Sequence, residues 1–156
     1  VIERGNGFCI TKGALMAAAC RALSIPARLG FADVRNHMAS KRMIELMQTD
    51  LFVYHGYVEI YLEDRWVKAT PVFNIGLCEK FGTKPLEFDG KNDSVFHSFD
   101  KEGNKHMEYV TYHGTFTDIP FNQISDSFIK HYPAMYGQKP VDGDMEAEVA
   151  ADKQGN

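Results

Sequence analysis

The spacing of apolar positions divides the chain into alternating helical and extended stretches. Between Thr11 and Leu23, Ala14, Leu15, Ala18, Ala19 and Ala22 recur at helical spacing, with Thr11 placed to cap the start. The alanines predict close packing of this helix on a sheet or another helix. Ser24-Ile25-Pro26 ends it, because the residue before a proline avoids the helical region. Ala27–Val34 reads as a strand, and Lys41–Met47 as a short helix after a polar loop holding Asn36 and His37. Asp50–Leu62 is rich in β-branched and aromatic residues. Glu63-Asp64-Arg65 turns it into a second strand, Trp66–Thr70, closed by Pro71. Asn74–Phe81 predicts a short helix stopped at Gly82. Asp93–Phe99 and His106–Tyr112 predict two further strands around the turn Lys101–Asn104. A last helix is expected over Pro120–His131, with Phe121, Ile124, Phe128 and Ile129 as its apolar positions.

Composition narrows the class without deciding the function. With 156 residues, 44% of them hydrophobic and 24% charged, one soluble globular domain with a real core is expected. Beyond Pro140 the chain turns acidic and poor in apolar residues. The domain is therefore expected over residues 1–140, with a loosely held tail over 141–156. A net charge of −4 and a pI near 5.8 argue against nucleic acid or an anionic membrane as the main partner. Three cysteines, at 9, 20 and 78, fit neither a disulfide framework nor a zinc site, and a reducing, cytoplasmic setting is the simplest expectation. No apolar run reaches membrane-spanning length, and nothing at Val1 resembles a signal peptide. The first residue is not Met and the chemically suggestive stretch begins almost at once, so an upstream portion is expected to be missing.

That stretch is Arg4-Gly5-Asn6-Gly7-Phe8-Cys9-Ile10-Thr11-Lys12-Gly13. A cysteine after a glycine-rich turn and before a helix would face unpaired N–H groups and the positive end of the helix dipole. Such a setting lowers a thiol pKa and yields a nucleophile near neutral pH. Taken alone, Gly-Phe-Cys is better described as a packed small hydrophobe. A thiolate nucleophile also needs a base and a group that orients the base. His55 is the strongest base candidate, mid-strand beside small Gly56, and sharing a face with Tyr57, Glu59 and Tyr61 by strand alternation. Glu59 reads as a hydrogen-bonding strand residue and Arg28 as a structural partner for a carboxylate. Cys20 and Cys78 read as inert, and His97, His106, His113 and His131 show no metal spacing.

Gly7-Phe8-Cys9, Ala14-Leu15 and Ala22-Leu23-Ser24-Ile25-Pro26-Ala27-Arg28 together resemble the cysteine segment of the transglutaminase-like superfamily. His55-Gly56-Tyr57-Val58-Glu59-Ile60-Tyr61, with Trp66-Val67 beyond the turn, is similar to the family's histidine strand and the hairpin partner after it. The order and spacing of the two segments also agree, and the best match is to a bacterial-type transglutaminase-like domain. The resemblance implies an α+β, papain-like core, with the cysteine at the N-terminus of a helix packed on an antiparallel sheet that carries the histidine. It implies that Cys9 attacks an amide carbonyl, peptide or glutamine-type, and that His55 handles the proton. The acyl group would pass from a Cys9 thioester to water, slightly preferred, or to an amine. The Cys9 N–H would be one oxyanion donor, with the second expected upstream of Val1.

One position departs from the family. Four residues after the hairpin tryptophan, where the family has aspartate, this chain has Thr70. A threonine hydroxyl can accept the imidazole N–H but supplies no negative charge. Asn74 in the following loop is the alternative third residue. The resemblance calls for no cofactor and no metal; a calcium requirement has no acidic loop to support it. The expected partner is a peptide or protein substrate, or a small amide, with oligomeric state open. The departure at Thr70 supports an alternative, a catalytically weak or inactive domain that binds a peptide or protein. An arylamine N-acetyltransferase-like enzyme is a third reading, suggested by the Arg-Gly-x-Gly-Phe-Cys turn.

Overall fold

β-Branched and aromatic residues form four strands: β1 (Ala27–Asn36), β2 (Leu51–Leu62), β3 (Arg65–Ala69) and β4 (Met107–Phe116). The computed structural model describes residues 1–3 and 5–135; the end of the expected domain and the acidic tail over 141–156 lie outside them. The strands pair antiparallel throughout, in the order β3-β2-β1-β4. Helix α1 (Cys9–Ala22) packs on β2 and β1, and α4 (Phe121–His131) packs on β2. Two short helices, α2 (Lys41–Met47) and α3 (Ile75–Phe81), and a 3-10 turn at Pro133–Met135 complete the elements. The architecture is α+β, as expected. No helix among the described residues is long and apolar enough to cross a membrane.

Alternation along β2 sets the two sides of the sheet. Val58 and Ile60 join Ile10, Ala17, Leu29, Phe31 and Ile124 in the main core under α1. The other face carries His55 against Phe96, the Tyr57 ring over Gly30, and Glu59 paired with Arg28 at 2.6 Å. Arg28 also lies 4.1 Å above the Trp66 ring, so its structural reading holds. In the β2–β3 hairpin, Glu63 and Asp64 both have positive φ (46° and 63°), the mirror-image turn that follows the twist of paired strands.

Most elements fall where the sequence places them, with two differences. Helix α1 begins at Cys9 rather than near Thr11, because the Thr11 hydroxyl accepts the Phe8 N–H (3.0 Å) and donates to the Phe8 carbonyl (3.1 Å), which moves the cap back three residues. The strand expected over Asp93–Phe99 does not form. Asp93 and Ser94 touch the edge of β3 only through Lys68 and a single bridge between Ser94 and Ala69, and the chain then turns inward so that Phe96 joins Val34 and Met107 in a second core. On α4, Ile124 and Phe128 turn inward while Phe121 and Ile129 remain exposed.

The end of α4 is tied to β2 by one side chain. The Val53 N–H donates to the Tyr132 hydroxyl at 2.6 Å, and that hydroxyl donates to the Leu51 carbonyl at 3.0 Å. Tyr132→Phe strands a buried N–H, and a loss of about 1–3 kcal/mol is expected in urea unfolding. An unchanged midpoint would mean that this tie does not hold α4 to β2.

Candidate active site

Cys9 is the first residue of α1, and its position depends on Gly56. A β-carbon on Gly56 would lie 3.2 Å from the Ile10 Cα and 3.3 Å from the Cys9 carbonyl oxygen and the Ile10 nitrogen. Only a glycine lets the first turn of the helix rest directly on β2. One turn on, Gly13 meets Val58 at 3.6 Å from its own β-carbon position. Lys12 fixes the same turn from outside, donating to the Val72 carbonyl at 2.7 Å.

The thiol is half-buried, and backbone N–H groups of Gly56, Ile10 and Cys9 itself point toward it. These N–H groups and the Lys12 charge favour thiolate, but burial outweighs them and holds the thiol pKa above its ordinary value. The lowered thiol pKa expected from a helix start is therefore not what this environment gives. A helix N-terminus stabilises charge only as far as desolvation allows.

His55 is fully buried, and burial pushes its pKa down to about 4. Its ring packs edge-on against Phe96, centroids 4.9 Å apart, and Nδ1 has no hydrogen-bond partner. Thr70, one residue beyond the Val58–Ala69 pair, is also buried with an unpartnered hydroxyl. The hydrogen bond expected between Thr70 and His55 is thus absent in this conformation. The Thr70 hydroxyl faces that of Tyr109, without forming a well-aligned bond, and favours the Tyr109 phenolate, though burial still raises that pKa to about 12. Asn74 caps α3, its side-chain oxygen accepting the Leu77 N–H at 2.7 Å.

Cys9 and His55 line one cavity of about 280 Å³, together with Val53, Tyr54, Phe128 and Tyr132. No hydrogen bond joins the thiol to the imidazole among the described residues. Both shifts favour the uncharged forms of the two groups.

Sequence reasoning missed the cluster that shapes β2 just before His55. Tyr54 has a φ of +53°, and β2 gains an extra residue there against β1, between the pairs Ala32–His55 and Val34–Phe52. Asp33 on β1 accepts the Tyr54 N–H at 2.9 Å and pairs with His113 Nε2 at 2.6 Å. His113 sits in a bulge of β4 and stacks on the Tyr54 ring at 4.0 Å. The available signal was a carboxylate within a buried strand, which must find partners.

An antiparallel sheet with a cysteine-bearing helix start resting on its histidine strand is compatible with a papain-like α+β core. Residues 1–71 match the model of the transglutaminase-like superfamily. The matched segment holds Cys9, His55 and Thr70 but ends before Asn74 and α4. No curated protein and no solved structure matches the chain.

Two outcomes follow from this geometry. Gly56→Ala forces backbone apart, and a loss of about 1–3 kcal/mol is expected, with faster alkylation of the less buried Cys9. A variant as stable as the parent would show that the helix start tolerates displacement. Unfolding returns His55 to its ordinary value of 6.5, so between pH 6.5 and about 4 the unfolded chain binds a proton that the folded chain does not. Stability is fullest above pH 6.5 and falls toward pH 4, by up to ~3 kcal/mol from this residue; His106 is shifted in the same direction. Urea unfolding across that range should show the slope, and His55→Gln should flatten it. An equal slope in the variant would place the acid sensitivity elsewhere.

Proposed function

We propose that this domain is a cysteine-dependent acyl-transfer enzyme acting on amide bonds, with hydrolysis preferred over transfer to an amine. The observation that carries the reading is the shared cavity wall: a thiol at a helix start, faced by backbone N–H groups, opens into the same space as His55. Cys9 Sγ attacks the carbonyl carbon while His55 accepts the thiol proton. The C–N bond breaks, the proton passes to the leaving amine, and the acyl group remains as a thioester on Cys9. Water, losing its proton to His55, then attacks the thioester; the carboxylic acid leaves and the proton returns to Cys9. Because both pKa shifts favour the uncharged thiol and imidazole, proton transfer accompanies attack and does not precede it. Thr70 can orient the imidazole through its hydroxyl, and the Cys9 N–H is available as an oxyanion donor.

The second reading, a binding module of weak or no activity, has its own observation. His55 Nδ1 and the Thr70 hydroxyl are both unpartnered, and the imidazole rests against Phe96.

Acylation by an activated p-nitrophenyl ester separates the two, with Cys20 and Cys78 replaced by Ser throughout. The enzyme reading predicts a mass increase confined to Cys9, lost in Cys9→Ala and slowed at least tenfold in His55→Ala. Iodoacetamide alkylation of Cys9 should meanwhile rise only above the ordinary thiol range, in line with the raised pKa. Acylation at the same rate without His55, or none at all, would give the binding module precedence.

A further inference from the structure

Resting on the acyl-transfer reading just given, we propose that the cavity beside Cys9 receives the side chain of the acyl group. It selects an aromatic or branched aliphatic side chain over a glutamine-type one. The cavity has a floor of Met47, Val53 and Tyr132, all buried, and a rim that includes Phe8 and Met135, both solvent-exposed. Phe52 and Phe128 complete an almost wholly apolar wall.

The polar groups on the buried side of this wall are already committed. The Tyr132 hydroxyl both accepts from Val53 and donates to Leu51, and the Tyr54 N–H is held by Asp33. What remains is the Cys9 thiol, assigned to the reacting carbonyl, and at the solvent side the Tyr54 hydroxyl, 3.5 Å from Gln123 Oε1. A carboxamide pushed into this space would leave its donors and acceptor without partners, a penalty that water does not impose. A hydrocarbon side chain would gain from every apolar surface that it covers. Size agrees: a cavity of about 280 Å³ is roughly twice the ~150 Å³ apolar space that holds one benzene. A phenylalanyl or leucyl side chain with its backbone methine fits that volume. Two methionines in the wall, Met47 and Met135, allow the space to adapt between ring and branched shapes.

Binding and acylation are to be measured separately, on the full chain. Cys9→Ala, with Cys9→Ser as a second variant should the first fold poorly, is titrated with N-acetyl-phenylalaninamide, N-acetyl-leucinamide and N-acetyl-glutaminamide. The native chain is treated with the p-nitrophenyl esters of the same three acyl groups. The phenylalanyl and leucyl amides should bind at least tenfold tighter than the glutaminyl amide. Met135→Glu, at the rim, should weaken phenylalanyl binding about tenfold while leaving the melting temperature unchanged. Equal or tighter binding of the glutaminyl amide overturns the proposal, as does phenylalanyl binding indifferent to Met135→Glu. Selective phenylalanyl binding without acylation of the native chain upholds the cavity assignment and removes the enzyme reading. Equal acylation by glutaminyl and phenylalanyl esters does the reverse.

Discussion

The contact on which the site depends is backbone against backbone, where the first turn of α1 lies on β2 at Gly56. No side chain separates them, and at 3.2–3.3 Å from a would-be β-carbon the backbone of the first turn would have to give way to admit one. Gly13 and Ala17 continue the close approach along the helix, so α1 rests on the sheet through its smallest residues. This explains why the helix is rich in alanine without a strongly apolar stripe: it needs proximity more than bulk. The same contact brings the Gly56 N–H to the thiol and buries it. The position of the thiol and its pKa are two consequences of one packing decision, and they pull in opposite directions. The N–H groups favour the anion, whereas the burial needed to deliver them disfavours it.

The cavity depends on a second constraint, the bulge at Tyr54. In a regular strand consecutive side chains point to opposite faces, yet Val53, Tyr54 and His55 all line the same space. The extra residue in β2 breaks the alternation there, and Asp33 holds the broken geometry by accepting the Tyr54 N–H that the ladder no longer satisfies. His113, displaced in the neighbouring bulge of β4, completes the tie from the far side. A central-strand carboxylate thus fixes irregularities in both neighbouring strands.

What the sequence reveals and what it hides divide along a physical line. Local rules suffice for the Ser24-Ile25-Pro26 stop, for the Glu63-Asp64 turn, and for the helix between Asn74 and Gly82, where cap and left-handed terminus are both encoded in place. That Arg28 pairs with a carboxylate was legible in the sequence; that the carboxylate is Glu59 was not. The strand expected over Asp93–Phe99 shows the limit, since its alternation is real but it meets the β3 edge only at Lys68 and Ala69. The cavity was hidden for the same reason: its wall draws on α2, β2, α4 and the turn after α4, segments with no sequence relation to one another. The cysteine's local signal was correct about position and misleading about charge, because desolvation is set by what packs above the helix start rather than by the helix itself.

Thr70 is consistent with that charge state. An aspartate in its place would put a carboxylate beside Phe96 and Tyr109, a buried charge sustained only by an imidazolium partner. Were the imidazolium's proton taken from the thiol, the site would hold three buried charges with one net negative charge. With threonine, no member of the set need be charged at rest, and the pKa directions of Cys9 and His55 agree with such a neutral arrangement. On the proposed reading the site therefore separates charge only while the acyl group is being attacked. A carbonyl seated by its apolar side chain then helps exclude the water that would otherwise compete for the transferred proton.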